Sequence, residues 1–134
     1  MMSAYRTSKG FTLIELLVVI TIMMTVVSLV GGLSIDMLSK YRKKAEEKRL
    51  VTILSQLSES AMIRQEGMDV NLNQAQLTAS FQEGQQEYYR HTFEFIRFNQ
   101  QRIRINSQGL PSLTTINYQF DGSRETLNVG KALL

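Results

Sequence analysis

Twenty-five consecutive residues, Phe11 to Ile35, carry a single charge, Glu15, and this run limits the possible folds more than any other feature. A helix of that length extends roughly 37 Å, enough to cross a hydrocarbon core of about 30 Å with tilt. The run is apolar on every face. The hundred or so residues left over are too few to bury it as a core helix of a soluble domain. An ordinary secretory signal also begins with a short positive region, and Ser28 to Gly32 offers small residues that mimic a cleavage site. The run nevertheless exceeds the usual apolar region of about 7–15 residues, and such signals give no reason for a carboxylate inside it. We read a membrane helix.

Composition excludes most other classes. The chain has 134 residues and a formal charge of +3. Removing Arg6 and Lys9 with the first ten residues leaves thirteen basic against twelve acidic residues, so charge alone does not point to nucleic acid. There is no cysteine, which removes disulfides, thiolate catalysis and cysteine metal sites. The lone histidine, His91, supports neither a zinc site nor a catalytic triad, and it reads as a core or edge residue. No glycine pattern fits a phosphate loop or a dinucleotide site. We expect no cofactor, no metal and no enzymatic activity.

The residues around Glu15 carry a resemblance. Lys9-Gly10-Phe11-Thr12-Leu13-Ile14-Glu15-Leu16-Leu17-Val18, behind a basic leader, is similar to the class III signal of type IV pilins and type II secretion pseudopilins. That resemblance implies cleavage by a prepilin peptidase between Gly10 and Phe11 and N-methylation of the new Phe11 terminus. It also implies assembly with major and other minor pilins on a platform in the inner or cytoplasmic membrane. The product would be a single-pass protein with its C-terminus outside, later part of a surface filament. Physics singles out Glu15 independently, because a carboxylate in lipid costs several kcal/mol unless paired. The amine freed at Phe11, on the same or a neighbouring subunit, is its natural partner. Snorkelling of Glu15 to the headgroups is the alternative. The basic run Lys40 to Arg49, counted by the positive-inside rule, argues for the opposite orientation. More often such a run is a solvated helix face, with Lys43 and Glu47 as a four-residue ion pair; a membrane-surface role is the other reading.

Downstream, Leu38, Tyr41, Ala45, Leu50, Ile53/Leu54, Leu57 and Ala61 mark an apolar stripe, so one helix is expected over about 11–66 with a stop at Gly67. Gly31-Gly32 is its weakest point, where the backbone could bend or unwind; the resemblance to pilins implies melting there on assembly, and close helix packing is the alternative. Residues 69–71 read as loop, and 71–86 as loop with a short strand or turn at Leu77–Phe81. Alternation then gives a strand through Tyr89, His91, Phe93 and Phe95, a turn near Asn99, and a strand with Ile103 and Ile105 inward. Ile116, Tyr118 and Phe120 form another strand, and Asp121-Gly122 turns it into a fourth with Leu127 and Val129. The expected fold is α+β: a long N-terminal helix, membrane-spanning in its first half, packed by residues 45–63 against about four antiparallel strands. The divisions are a leader at 1–10, a membrane and assembly helix at 11–35, its amphipathic continuation at 36–66 and a small β domain at 67–134.

Arg97, Arg102 and Arg104, with Gln100, Gln101 and Tyr88, could form a basic, aromatic-edged surface for DNA; solvated strand faces look the same from sequence. The segment Phe98 to Ile116, a basic strand, a glycine turn, Pro-x-Leu and an Ile-led strand, also resembles minor pseudopilins of Gram-positive competence (ComG) pili, the F-type subunit in particular. That second resemblance implies DNA uptake. A minor pseudopilin of a type II secretion system and a membrane-tethered DNA-binding module are the alternatives.

Overall fold

The computed structural model describes residues 10–84 and 86–130, without the side chains of 32–34. The leader bearing Arg6 and Lys9 lies outside the described residues. The chain divides into two units, Met1–Ser39 and Lys40–Leu134. One helix, α1 (Leu13–Arg64), contributes to both, followed by β1 (Met68–Gln74), β2 (Gln76–Phe81), β3 (Glu87–Thr92), β4 (Ile96–Ile105), β5 (Thr115–Phe120) and β6 (Ser123–Asn128). This is the expected α+β arrangement, with six strands where four were foreseen.

In the first unit the apolar part of α1 is long enough to cross a membrane, and none of it is buried. A core helix would be covered, so that alternative falls. Two threonine hydroxyls in this part are satisfied by the helix's own backbone. Thr21 donates to the Leu17 carbonyl and Thr25 to the Thr21 carbonyl, each at 2.8 Å, a satisfied form that lipid tolerates. The backbone remains helical through Gly31 and Gly32.

In the second unit the strands form one antiparallel sheet in the order β3-β2-β1-β4-β5-β6. Alternation puts Met68, Val70 and Leu72 of β1, Leu77 and Ala79 of β2, and Ile103 and Ile105 of β4 into the core. They meet Leu50, Ile53, Leu54, Leu57 and Ala61 of α1. The buried part of the helix is therefore shorter than the expected 45–63 stripe. Leu38, Tyr41, Ala45, Met62 and Ile63 are exposed.

The helix stops before Gly67. Gln65 takes a left-handed φ of 54°, Glu66 N–H donates to Ala61 O at 3.1 Å, and Gln65 N–H donates to Met62 O at 3.2 Å. That is a Schellman ending with glutamine at the left-handed position. The next turn also has a left-handed glutamine, and here the structure departs from the expected loop. Residues 69–71 belong to β1, which turns tightly into β2 through Gln74, at φ 51°, with no glycine to announce the hairpin.

The phase slip near Asn99 is a bulge inside β4. Leu72 pairs with Gln101 and Gln74 with Phe98, so β4 carries one residue more than β1 over this interval. The true bend comes earlier, at Phe93–Phe95, after β3 has ended at Thr92. The Asp121-Gly122 turn forms as expected, with φ 49° and 78°. In the β4–β5 connection Gly109 adopts φ 76°, where a Cβ would lie 2.7 Å from the Met62 side chain. Only glycine fits there.

The bend at Phe93–Phe95 is held from the helix. Glu46 accepts hydrogen bonds from three successive backbone N–H groups: Glu94 at 2.6 Å, Phe95 at 2.9 Å and Ile96 at 2.7 Å. Arg97 closes the same bend from the other side, donating to the Phe93, Glu94 and Ile96 carbonyls. Glu46→Gln puts an amide donor against backbone donors. It should cost the folded domain about 2–3 kcal/mol, read as a lower midpoint in chemical denaturation of the full chain in detergent.

Candidate functional site

Thr12 precedes the first helical residue and acts as the N-cap of α1. Its carbonyl accepts from Glu15 N–H at 3.1 Å and Leu16 N–H at 3.2 Å, and its hydroxyl oxygen lies 3.4 Å from Glu15 N. The same hydroxyl donates to Glu15 Oε2 at 3.4 Å. Thr12 and Glu15 thus stand at the spacing of a capping box, with the carboxylate three residues into the helix near its positive end. No cation pairs with Glu15 among the described residues. One long hydroxyl contact leaves most of its acceptor capacity unused. Phe11 is 82% exposed, and its nitrogen is still in the peptide bond to Gly10. Gly10 is exposed, and a Cβ there would meet nothing within 4 Å.

The three arginines do not converge on one open basic surface. Arg97 is spent on the carbonyls of the Phe93–Phe95 bend. Arg104 Nε lies 3.3 Å from Asp69 Oδ1, and Arg102 Nε donates to Asn71 Oδ1 at 3.0 Å. Arg102 and Arg104 share the sheet face away from α1, where Gln100, Gln101 and the amides of β1 line a shallow groove beside Arg102. Tyr88 is elsewhere. It is the extra residue of a bulge in β3 and turns toward the helix, 3.5 Å from the Ser60 hydroxyl. There Arg64 lies over the rings of Phe81 at 4.6 Å and Tyr88 at 5.4 Å, a cation–π stack that sequence reasoning missed.

The charged run after the apolar segment behaves differently from a solvated face. Arg42 lies 4.9 Å over the Phe95 ring, Lys43 Nζ is 2.7 Å from Glu125, and Glu47 accepts from the Tyr118 hydroxyl. The expected Lys43–Glu47 pair does not form; each reaches a different strand. Burial, and then the Glu47 carboxylate, push the Tyr118 phenol above its ordinary range. One signal for this arrangement was present in the sequence. Lys43, Glu46 and Glu47 share the helical face of Leu50 and Leu54, so they point where the core does.

His91 is half-buried on the inward side of β3, edge-on to Phe93 with ring centres 4.7 Å apart. Desolvation, and then the positive charge of Arg49, lower its pKa below 6.5, with Glu46 opposing weakly. A lowered pKa means that the folded state binds the proton less readily than the unfolded chain. Stability should therefore be full above about pH 6.5 and fall as pH drops through that value toward the lower folded pKa. Melting temperatures from about pH 7.5 to about pH 5 should show this loss in the native chain, and His91→Gln should flatten it.

No three His, Cys, Asp or Glu side chains converge as a metal site among the described residues. Residues 5–31 match a family model described as the prokaryotic N-terminal methylation motif. No curated protein and no solved structure matches the chain. The likeness is thus confined to the N-terminal part of the chain, where the matched motif lies on a helix long and apolar enough to cross a membrane.

Proposed function

We propose that this chain is a minor subunit of a type IV-like filament that serves DNA uptake. The observation that carries the filament reading is the methylation motif at residues 5–31, placed on an unburied apolar helix that continues into a small sheet domain. The resemblance of Phe98–Ile116 to competence pseudopilins supports the finer role. In the structure that segment is most of β4, the Gly109 turn and the start of β5. The chain sits in the membrane by residues 11–35, with its C-terminus outside, until assembly draws it into the filament.

Processing creates the chemistry of the site. Cleavage between Gly10 and Phe11 frees an amine one helical turn from Glu15, and the same group is available on each neighbouring subunit. A carboxylate held in lipid with one weak hydroxyl contact gains by pairing with it, so the pair sets the register between subunits while apolar side chains supply the packing. Gly31-Gly32, helical here, is the place where the backbone yields on assembly at least cost. N-terminal sequencing of protein made beside the peptidase should begin at Phe11; any other start removes the processing assignment.

Charge pairing and helix capping at Glu15 separate cleanly. Glu15→Gln keeps a capping side chain at this spacing but removes the charge, whereas Glu15→Ala removes both. If the charge sets register, both variants should insert into membranes normally, and both should be strongly depleted from sheared filaments. Normal incorporation of Glu15→Gln together with failure of Glu15→Ala would assign the residue to capping alone.

A further inference from the structure

Lys40, Lys44 and Lys48 recur every four residues along α1, and all three are exposed. They are the fifth, ninth and thirteenth residues after Ile35, where the apolar run ends. No hydrogen bond or ion pair holds any of their ammonium groups among the described residues. The acids that would neutralise such a run are engaged elsewhere. Glu46 is taken by the backbone of the Phe93–Phe95 bend and Glu47 by Tyr118. Asp36 is the one remaining acid nearby, one turn before Lys40 and exposed.

At about 100° per residue, Lys44 and Lys48 fall on the side of the helix opposite Leu50, Leu57 and Ala61. Tyr41, 72% exposed, shares that side. An aromatic residue with a polar tip followed by unpaired lysines is what the headgroup layer accommodates at the end of a membrane span.

We propose that Lys40, Lys44 and Lys48 form a docking stripe for anionic lipid headgroups on the leaflet where the apolar run ends. The stripe rests on the membrane placement of residues 11–35. Its occupant follows from charge: three cations with one opposing carboxylate follow directly on the apolar run, and anionic headgroups attract lysines placed there. The stripe would hold the subunit at a fixed depth until extraction, when these contacts are broken in sequence. Lys40 should contribute most and Lys48 least, because the attraction fades within a Debye length of the surface.

The test uses the full chain in phosphatidylcholine vesicles carrying trace spin-labelled phosphatidylglycerol or spin-labelled phosphatidylcholine. The immobilised fraction of each label is measured by electron spin resonance. The native chain should prefer phosphatidylglycerol. The triple variant Lys40→Gln, Lys44→Gln, Lys48→Gln should lower that preference about two- to fivefold, as should high salt in the native chain. Arg6 and Lys9 are present in both proteins, so the difference between them reports the stripe. Lys40→Gln alone should act more strongly than Lys48→Gln alone.

Resistance to alkaline extraction, scored in parallel, keeps the two ideas apart. Loss of the native chain from the membrane under alkali would overturn the membrane placement itself. Insertion with equal lipid preference in native and triple-variant chains would overturn the stripe. Equal lipid preference with poorer filament incorporation of the variant would also overturn it, assigning the lysines to an acidic partner subunit.

Discussion

One helix has to satisfy two solvents. Residues 13–35 of α1 are apolar all round, and residues 50–61 are apolar on one side only. A uniformly apolar helix cannot be covered by a domain of this size, and a one-sided helix cannot rest in lipid. The change from one regime to the other occurs within Asp36–Arg49. That is where the charges are concentrated, and their partners determine how the sheet is held to the helix.

Those partners explain how a domain without disulfides is fixed to a helix on a short core. Leu50, Ile53, Leu54, Leu57 and Ala61 supply the apolar contact, and Lys43, Glu46 and Glu47 extend it by a further turn with hydrogen bonds and an ion pair. Glu46 matters most. A carboxylate taking three backbone N–H groups removes three donors that a bend between strands would otherwise leave unsatisfied. An exposed lysine–glutamate pair alone would add little. The Glu46 contact joins elements 48 to 50 residues apart in sequence, so it forms only when the sheet has docked.

How much of this was legible depended on whether the signal was local. The helix, the inward faces of β4 and β5 and the Asp121-Gly122 turn follow from periodicity and turn chemistry, and they are present. The helix ends within two residues of the expected stop, whereas the β1–β2 hairpin was not legible because Gln74 occupies a left-handed position that usually advertises itself by glycine or asparagine. The Asn99 turn was misread because a bulge and a turn produce the same break in alternation; only the pairing of β1 with β4 tells them apart. At the candidate site, the motif from Gly10 to Glu15 was readable as it stands. The dispersal of Arg97, Arg102 and Arg104 was not, since Asp69 and Asn71 lie more than thirty residues away and had been read as loop.

Glu15 and Glu46 pose the same physical problem, and among the described residues the fold answers it for Glu46 but not for Glu15. Each is a carboxylate that cannot rely on bulk water: one at the head of an apolar helix, the other against the foot of a sheet. Glu46 finds three donors within its own chain and is satisfied on folding. Among the described residues Glu15 finds only the Thr12 hydroxyl at 3.4 Å, and its proposed partner is the amine that cleavage before Phe11 would free. A group left unsatisfied by its own fold, in a medium where that is costly, is a standing drive toward a partner. On the proposed filament reading that drive is directed at the step after folding, the pairing of one subunit with the next.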